Sequence, residues 1–387
     1  MKTLGIISEF NPFHNGHKYL LDKAKKELKT DLAISIMSGD FVQRGEAAIM
    51  DKFSRARVAI NCGFNLVIEI PSFITLQSAE FFAKKSVNIL NKVDIDYLVF
   101  GIENINTDDF LKACKVIIEN EKNIDSKIKS LIASGLSYPK SHNKALLDFV
   151  SSDFLSSNNI LALEYMRALY KINSKIKPYP IKRIKTKNKD QGINDKNFAS
   201  STAIRNNLGL DIKDLIPNES YSELSNFMNE YKYFDYDYIY KIFKYKILIE
   251  KSDMSNILGY EDGLDNYLSK IAIIKDSYKD FLGQATSLRY TKSRIKRLVL
   301  NYILSYTVDL NDYDISFINI LAYNKKAAEN FKNLSKHLNI VINKSDLKNL
   351  SKSDLLIYNK IIRASNLYSL GIAREIDYDF RHNNRPI

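Results

Sequence analysis

Two of the chain's five histidines stand three apart in "FNPFHNGH", residues 10–17. An imidazole pair can donate hydrogen bonds to phosphate oxygens, and Gly16 between His14 and His17 presents no side chain to an approaching phosphate. The apolar run "TLGIISE" ahead of the motif reads as a buried strand, and "KYLLDKAKKEL" behind it as a helix beginning near His17. The free N–H groups and dipole of that helix favour an anion at the turn. Histidines placed there would stabilise charge developing at an α-phosphate as pyrophosphate leaves. The competing reading is a pair of turn histidines satisfied by local hydrogen bonds.

A second phosphate-type pattern lies far downstream in "SSTAIR", which also opens a helix-like segment. The hydroxyls of Ser200, Ser201 and Thr202 and the first-turn amides suit β- and γ-phosphates, and Arg205 adds charge. Taken alone, the same residues would serve as an ordinary helix N-cap. The block "SGDFVQRGE" brings Asp40, Gln43, Arg44 and Glu46 to the end of another strand-like run. Each of these singly fits a loop salt bridge, and together they fit a site. Near the other end, "RYTKSRIKR" holds Arg289, Lys292, Arg294, Lys296 and Arg297 with no acid among them. Ile295, Leu298, Val299 and Ile303 turned inward on a helix would leave the basic groups outward. Tyr290 could stack on an unpaired base or simply pack.

The elements that must position these residues alternate. Short apolar runs at 3–10, 32–38, 66–71 and 97–103 are separated by helical patterns at Lys18–Leu28, Lys52–Asn61 and Ser78–Leu90. Alternation of this kind predicts an α/β fold, a Rossmann-like parallel sheet covered on both faces. "PYPIKRI" (178–184) could add a strand. Beyond about residue 205 helical periodicity dominates, which predicts a catalytic domain at 1–205 and a mainly helical region at 206–387. The stretch Lys171 to Asp190 is strongly basic, as either a solvated loop or a binding patch.

Composition narrows the class. The formal net charge of +12 makes a polyanionic partner plausible, with lysine-rich solubility as the alternative. Cys62 and Cys114 lie far apart without metal-ligand spacing, which fits a reducing cytoplasm. No secretory layout is present, no run approaches a membrane span, and no protein partner is evident. His142, His337 and His382 are isolated and read as packed or solvent-facing.

A strand, His-x-Gly-His and a helix, joined by a Ser-Ser/Thr-x-x-Arg signature, resemble the nucleotidylyltransferase superfamily, relatives of the class I aminoacyl-tRNA synthetases. The ordered series "SGDFVQRGEAAIMDKFSRARVAINCGFNLVIEIP", "FGIE", "GLSYPKS", "SNNILALEYMRAL" and "LRYTKSRIKRLVLNYIL" resembles the bacterial tRNA(Met) cytidine acetate ligase family over most of the chain. The resemblance implies that acetate attacks the α-phosphate of ATP, giving acetyl-adenylate and pyrophosphate. The N4 amine of the wobble cytidine of elongator tRNA(Met) would then take the acetyl group and release AMP. It also implies ATP lying along Ile7 to Leu20, a run that includes Phe10, Asn11, Pro12 and Gly16. Gly101, Asn158 and Arg183 become further nucleotide contacts, although Asn158 would also fit a helix N-cap.

We take Asp40 with His14 and His17 as the catalytic set, the 38–46 block orienting acetate, metal or cytidine. The basic block at 289–297 is expected to hold tRNA phosphates, and Mg2+ is expected with the triphosphate. Ala47 or Ala48 replaces a proline usual in that family, Phe53 a tryptophan and Ile102 a serine. The alternative activity is adenylation of a small phosphate ester, which would leave the basic helical region without a purpose. A non-catalytic RNA-binding protein is the third reading, and two intact signatures argue against it.

Overall fold

The structure is a computed structural model and describes residues 1–183, 197–334 and 336–381. The apolar runs become β1 (Thr3–Ser8), β2 (Leu32–Ser38), a small hairpin of β3 (Phe41–Val42) and β4 (Glu46–Ala47), β5 (Leu66–Ile70), β6 (Tyr97–Ile102), β7 (Lys177–Lys182), β8 (Phe317–Tyr323) and β9 (Asn339–Val341). All but the hairpin form one sheet in the order β7-β6-β1-β2-β5-β8-β9. It is parallel from β7 through β5. Every residue of β2 and β5 is buried, as uninterrupted apolar strands between two helical layers must be.

The strand order has a consequence for the site. From β1 the chain builds outward through β2 and β5, then returns to the other side of β1 with β6 and β7. The connections leave β1 and β6 in opposite directions, opening a crevice beyond their carboxyl ends. "HNGH" follows β1, and Gly101 lies near the end of β6.

The expected helices form with small shifts, as Asn15–Leu28, Lys52–Asn61 and Ala79–Val93. The region after 205 is helical but also supplies β8 and β9, which the helical periodicity around them hides. β8 pairs antiparallel with β5, Leu66 opposite Tyr323, and so extends the N-terminal sheet. A boundary at 205 therefore leaves two later strands in the earlier region's sheet.

The C-terminal segment is fastened to the sheet by buried charge. Lys52 is 0% exposed. Its Nζ lies 3.0 Å from both carboxylate oxygens of Glu69 and 2.5 Å from Asp379. Asn319 on β8 donates to Glu69 at 2.6 Å. Arg374 pairs with Asp51 at 2.5 Å, and the Tyr368 hydroxyl donates to the Ala48 carbonyl at 3.0 Å. No helix among the described residues is long and apolar enough to cross a membrane.

Candidate active site

After β1 the chain passes through Phe10 in a left-handed conformation (φ +45°) and a cis Asn11–Pro12 peptide. The Phe10 ring holds that conformation by packing on Phe13 and Phe64, with centroids 4.7 and 5.5 Å away. His14 then caps the helix Asn15–Leu28. Its Nδ1 accepts from the Gly16 N–H at 3.0 Å, and Nδ1 of His17 accepts from the His14 N–H at 3.2 Å. The rings stack with centroids 3.7 Å apart. A Cβ on residue 16 would fall 2.9 Å from His14 Cε1, so glycine is required for the fold-back.

The reading in which local hydrogen bonds satisfy the pair is realised at each Nδ1. Nδ1 is satisfied locally on each ring, which in the neutral imidazole assigns the hydrogen to Nε2. No described residue accepts from either Nε2–H. Burial holds both imidazoles below the ordinary histidine range, His17 at about 3, and the Arg183 charge adds to the effect. Values lowered on folding mean that the folded state binds fewer protons, so stability is lost as pH falls below about 6.5. In the free protein the Cε1 resonances of His14 and His17 should stay flat between about pH 8 and 5, unlike an ordinary histidine. A midpoint near 6.5 for either would contradict this placement.

The residues expected to contact the nucleotide gather beyond the ends of β6 and β7. Arg183 donates its backbone N–H to the Ile102 carbonyl, and its guanidinium pairs with Glu103 at 3.3 Å. Asn158 donates to the same Glu103 carboxylate. Asn159, rather than Asn158, clamps the strand end, accepting from the Glu103 N–H and donating to its carbonyl, both at 2.8 Å. A Cβ at Gly101 would lie 3.0 and 3.1 Å from Cγ and Cδ of Arg183. Gly101→Ala should displace the arginine and raise the KM for ATP roughly tenfold, the order of one charge-assisted hydrogen bond, with kcat little changed. An unchanged KM would separate Arg183 from the nucleotide.

The two signatures meet across the crevice. Arg205 donates to the Asn11 carbonyl at 2.7 Å, and Asn15 donates to the carbonyls of Asn197 and Asp214 at 2.9 and 2.7 Å. Ser200 caps the helix Ser201–Asn206 through the Ala203 N–H, leaving Ser201 and Thr202 half-exposed beside Arg205. Ile7 and Leu20 are half-buried at the two ends of the expected ATP run, and Pro12 is buried.

The 38–46 block divides. Asp40 is 2% exposed, and its Oδ1 accepts from the Lys52 N–H at 2.8 Å. It anchors the loop to a helix instead of facing the crevice, because burial beside Lys52 fixes it there. Glu46 pairs with Lys296 and, at 3.7 Å, with Arg205. Lys296 is thus only 15% exposed, and Arg297 donates to the Gln43 carbonyl at 3.3 Å. The expectation that the whole basic block faces outward is corrected here. Arg289, paired with Glu261, and Lys292 are exposed, Arg294 is half-buried against the same Glu261, and Lys296 and Arg297 turn toward the β3–β4 hairpin. Tyr290 packs near Tyr267 with Arg289 and Arg294 over its ring.

Sequence reasoning missed Arg55, whose guanidinium is fully buried and donates to the carbonyls of Glu9 (2.7 Å), Ser38 (3.1 Å) and Gly39 (2.5 Å). One side chain ties the ends of β1 and β2 together. An arginine placed among the apolar residues of "KFSRARVAI" is the signal that could have found it. Glu9, Glu103 and Asn159 were also unassigned, and each needed the fold to be seen. His142 is buried beside Tyr138 and His337 is exposed, while His382 lies outside the described residues, as do positions 184–190 of the basic stretch. No group of three His, Cys, Asp or Glu among the described residues could hold a metal ion. A Mg2+ carried with the triphosphate, as expected above, needs no such group, because phosphate and water oxygens supply most of its ligands.

Known proteins share this architecture. The HIGH Nucleotidyl Transferase family matches residues 1–383. A Thermosipho africanus protein named tRNA(Met) cytidine acetate ligase is 34% identical, with 98% of each chain covered. The Fusobacterium nucleatum protein of the same name is also 34% identical, with 95% of each covered. Thermotoga maritima TmcAL, solved bound with alpha-thio ATP, matches over the full length of both chains with a TM-score of 0.87 and 28% identity. From these matches, the chain belongs to the tRNA(Met) cytidine acetate ligase family, within the HIGH nucleotidyl transferases.

Proposed function

We propose that this chain is an ATP-dependent ligase that acetylates N4 of the wobble cytidine of elongator tRNA(Met). The observation that carries the reading is the Arg205 bond to the Asn11 carbonyl at 2.7 Å, which joins two phosphate signatures 194 residues apart on one crevice. ATP lies with its nucleoside toward Gly101, Asn158 and Arg183. Its β- and γ-phosphates lie toward Ser201, Thr202 and Arg205. The two Nε2–H groups of His14 and His17 then donate to the α-phosphate, where charge accumulates as acetate attacks. Neutral imidazoles suit this task, since they donate without giving up a proton. Adenylation converts acetate into an acyl donor with AMP as leaving group. The exposed Arg289 and Lys292 hold tRNA phosphates without reading sequence.

Labelled acetate, ATP and bulk tRNA provide the test. Label in the cytidine of elongator tRNA(Met), dependent on ATP, is the expected result. Acetate-dependent release of pyrophosphate with no labelled RNA would leave the adenylation step and overturn the acceptor. Absence of both would overturn the ligase reading.

A further inference from the structure

The second half of this reaction needs a proton acceptor. The cytidine N4 amine carries two hydrogens, and the nitrogen must lose one as it bonds to the acetyl carbon. Most groups near the crevice are committed. The imidazoles of His14 and His17 use Nδ1 on backbone N–H groups and carry hydrogen on Nε2. Asp40 is buried on the Lys52 N–H. Glu46 is shared by Lys296 and Arg205, and Glu103 is held by Arg183 and Asn158.

Glu9 is different. It is the first residue beyond β1, at the crevice end of the central strand and five positions before His14. Two contacts aim it: Oε1 accepts from the Gln43 N–H at 2.7 Å, and its carbonyl accepts from Arg55 at 2.7 Å. It remains half-exposed, forms no ion pair among the described residues, and its Oε2 has no hydrogen-bond partner among them. We propose that Glu9 is the general base of the acyl-transfer step, receiving the N4 proton on Oε2. The C–N bond forms, the acetyl carbon–oxygen bond to phosphate breaks, AMP leaves with that electron pair, and the proton passes from Glu9 to solvent.

The surroundings fit an acceptor. The charges of Arg205, Arg44 and Arg55 act on this carboxylate, and its own charge acts on the Tyr165 hydroxyl. Burial raises its pKa, outweighing the lowering by the Gln43 N–H and the three arginines. A carboxylate is also a poor neighbour for a triphosphate, so its place here is better explained by the second step than by ATP binding.

This inference rests on the ligase reading, and the half-reactions separate the two. Glu9→Gln should slow single-turnover transfer from acetyl-adenylate to tRNA by roughly 10²–10⁴-fold, the usual range for a general base. Acetate-dependent ATP–pyrophosphate exchange should change by less than about threefold, which also reports a folded site. The acid limb of the transfer pH profile should vanish in Glu9→Gln, and Glu9→Asp should recover part of the rate. An equal fall in both half-reactions would make Glu9 a structural or ATP-positioning residue and overturn the proposal. Unimpaired transfer in Glu9→Gln would do the same while leaving the ligase reading intact. A wild-type chain that exchanges pyrophosphate but transfers nothing to tRNA would overturn the proposal and the tRNA acceptor while leaving the adenylation step.

Discussion

Replacing His17 by alanine should lower the rate of acetate-dependent pyrophosphate release by about 10²–10³-fold, the cost of one oxyanion-type donor. The substitution removes the Nε2–H proposed to meet the α-phosphate, and also the Nδ1 acceptor of the His14 N–H at 3.2 Å and the ring stacked at 3.7 Å. His14→Ala should cost a comparable amount, since it removes the Gly16 N–H acceptor as well. The double variant should fall far short of the product of the two losses, because the rings position each other. Rapid-quench measurement of pyrophosphate at saturating ATP and acetate separates this from weakened binding. A loss under about fivefold for His17→Ala would mean that the stack is a helix cap alone.

The second large effect is on stability. Lys52 is the one ammonium among Glu69, Asp379 and Asp40, all deeply buried. Lys52→Met keeps much of the volume and leaves carboxylates without their cation, which should cost about 3–5 kcal/mol. The deficit should depend on pH. Burial already pushes the Asp40 and Glu69 carboxyls above their ordinary range while Lys52 lowers them, so removing Lys52 raises them further. A carboxyl raised on folding binds more protons in the folded state, so stability is present at low pH and lost as pH rises through the folded value. Urea midpoints of Lys52→Met, compared with wild type, should therefore converge near pH 6 and diverge near pH 8. A deficit below about 1 kcal/mol, or one independent of pH, would rule out this account of the cluster.

The two experiments test different layers of one molecule, and the layers were not equally legible. The turn after β1 was readable because everything that builds it is local. Apolar residues without alternation make the strand, His14 caps the helix that follows, and Gly16 makes room for its ring. The "SSTAIR" helix is local in the same way, with Ser200 capping Ala203. The parallel core followed from apolar runs at 32–38, 66–70 and 97–102, which had to be covered on both faces.

Exposure and pairing of charged groups were not local. Asp40 and Glu9 sit at the ends of neighbouring strands, yet one is buried on the Lys52 N–H and the other is half-buried on the Gln43 N–H. Lys296 and Arg297 look like the rest of their basic block until the hairpin of residues 41–47 is packed against them. β8 is an apolar run whose partner strand lies about 250 positions earlier in the chain, as the Glu69–Asn319 bond shows. Helix caps and apolar periodicity depend on residues within about four positions, so the sequence alone determined the motifs and the elements bearing them. Desolvation and ion pairing depend on whichever groups the fold brings within a few ångströms. Only the tertiary structure could decide which carboxylates are held by a cation and which, like Glu9, form no ion pair among the described residues.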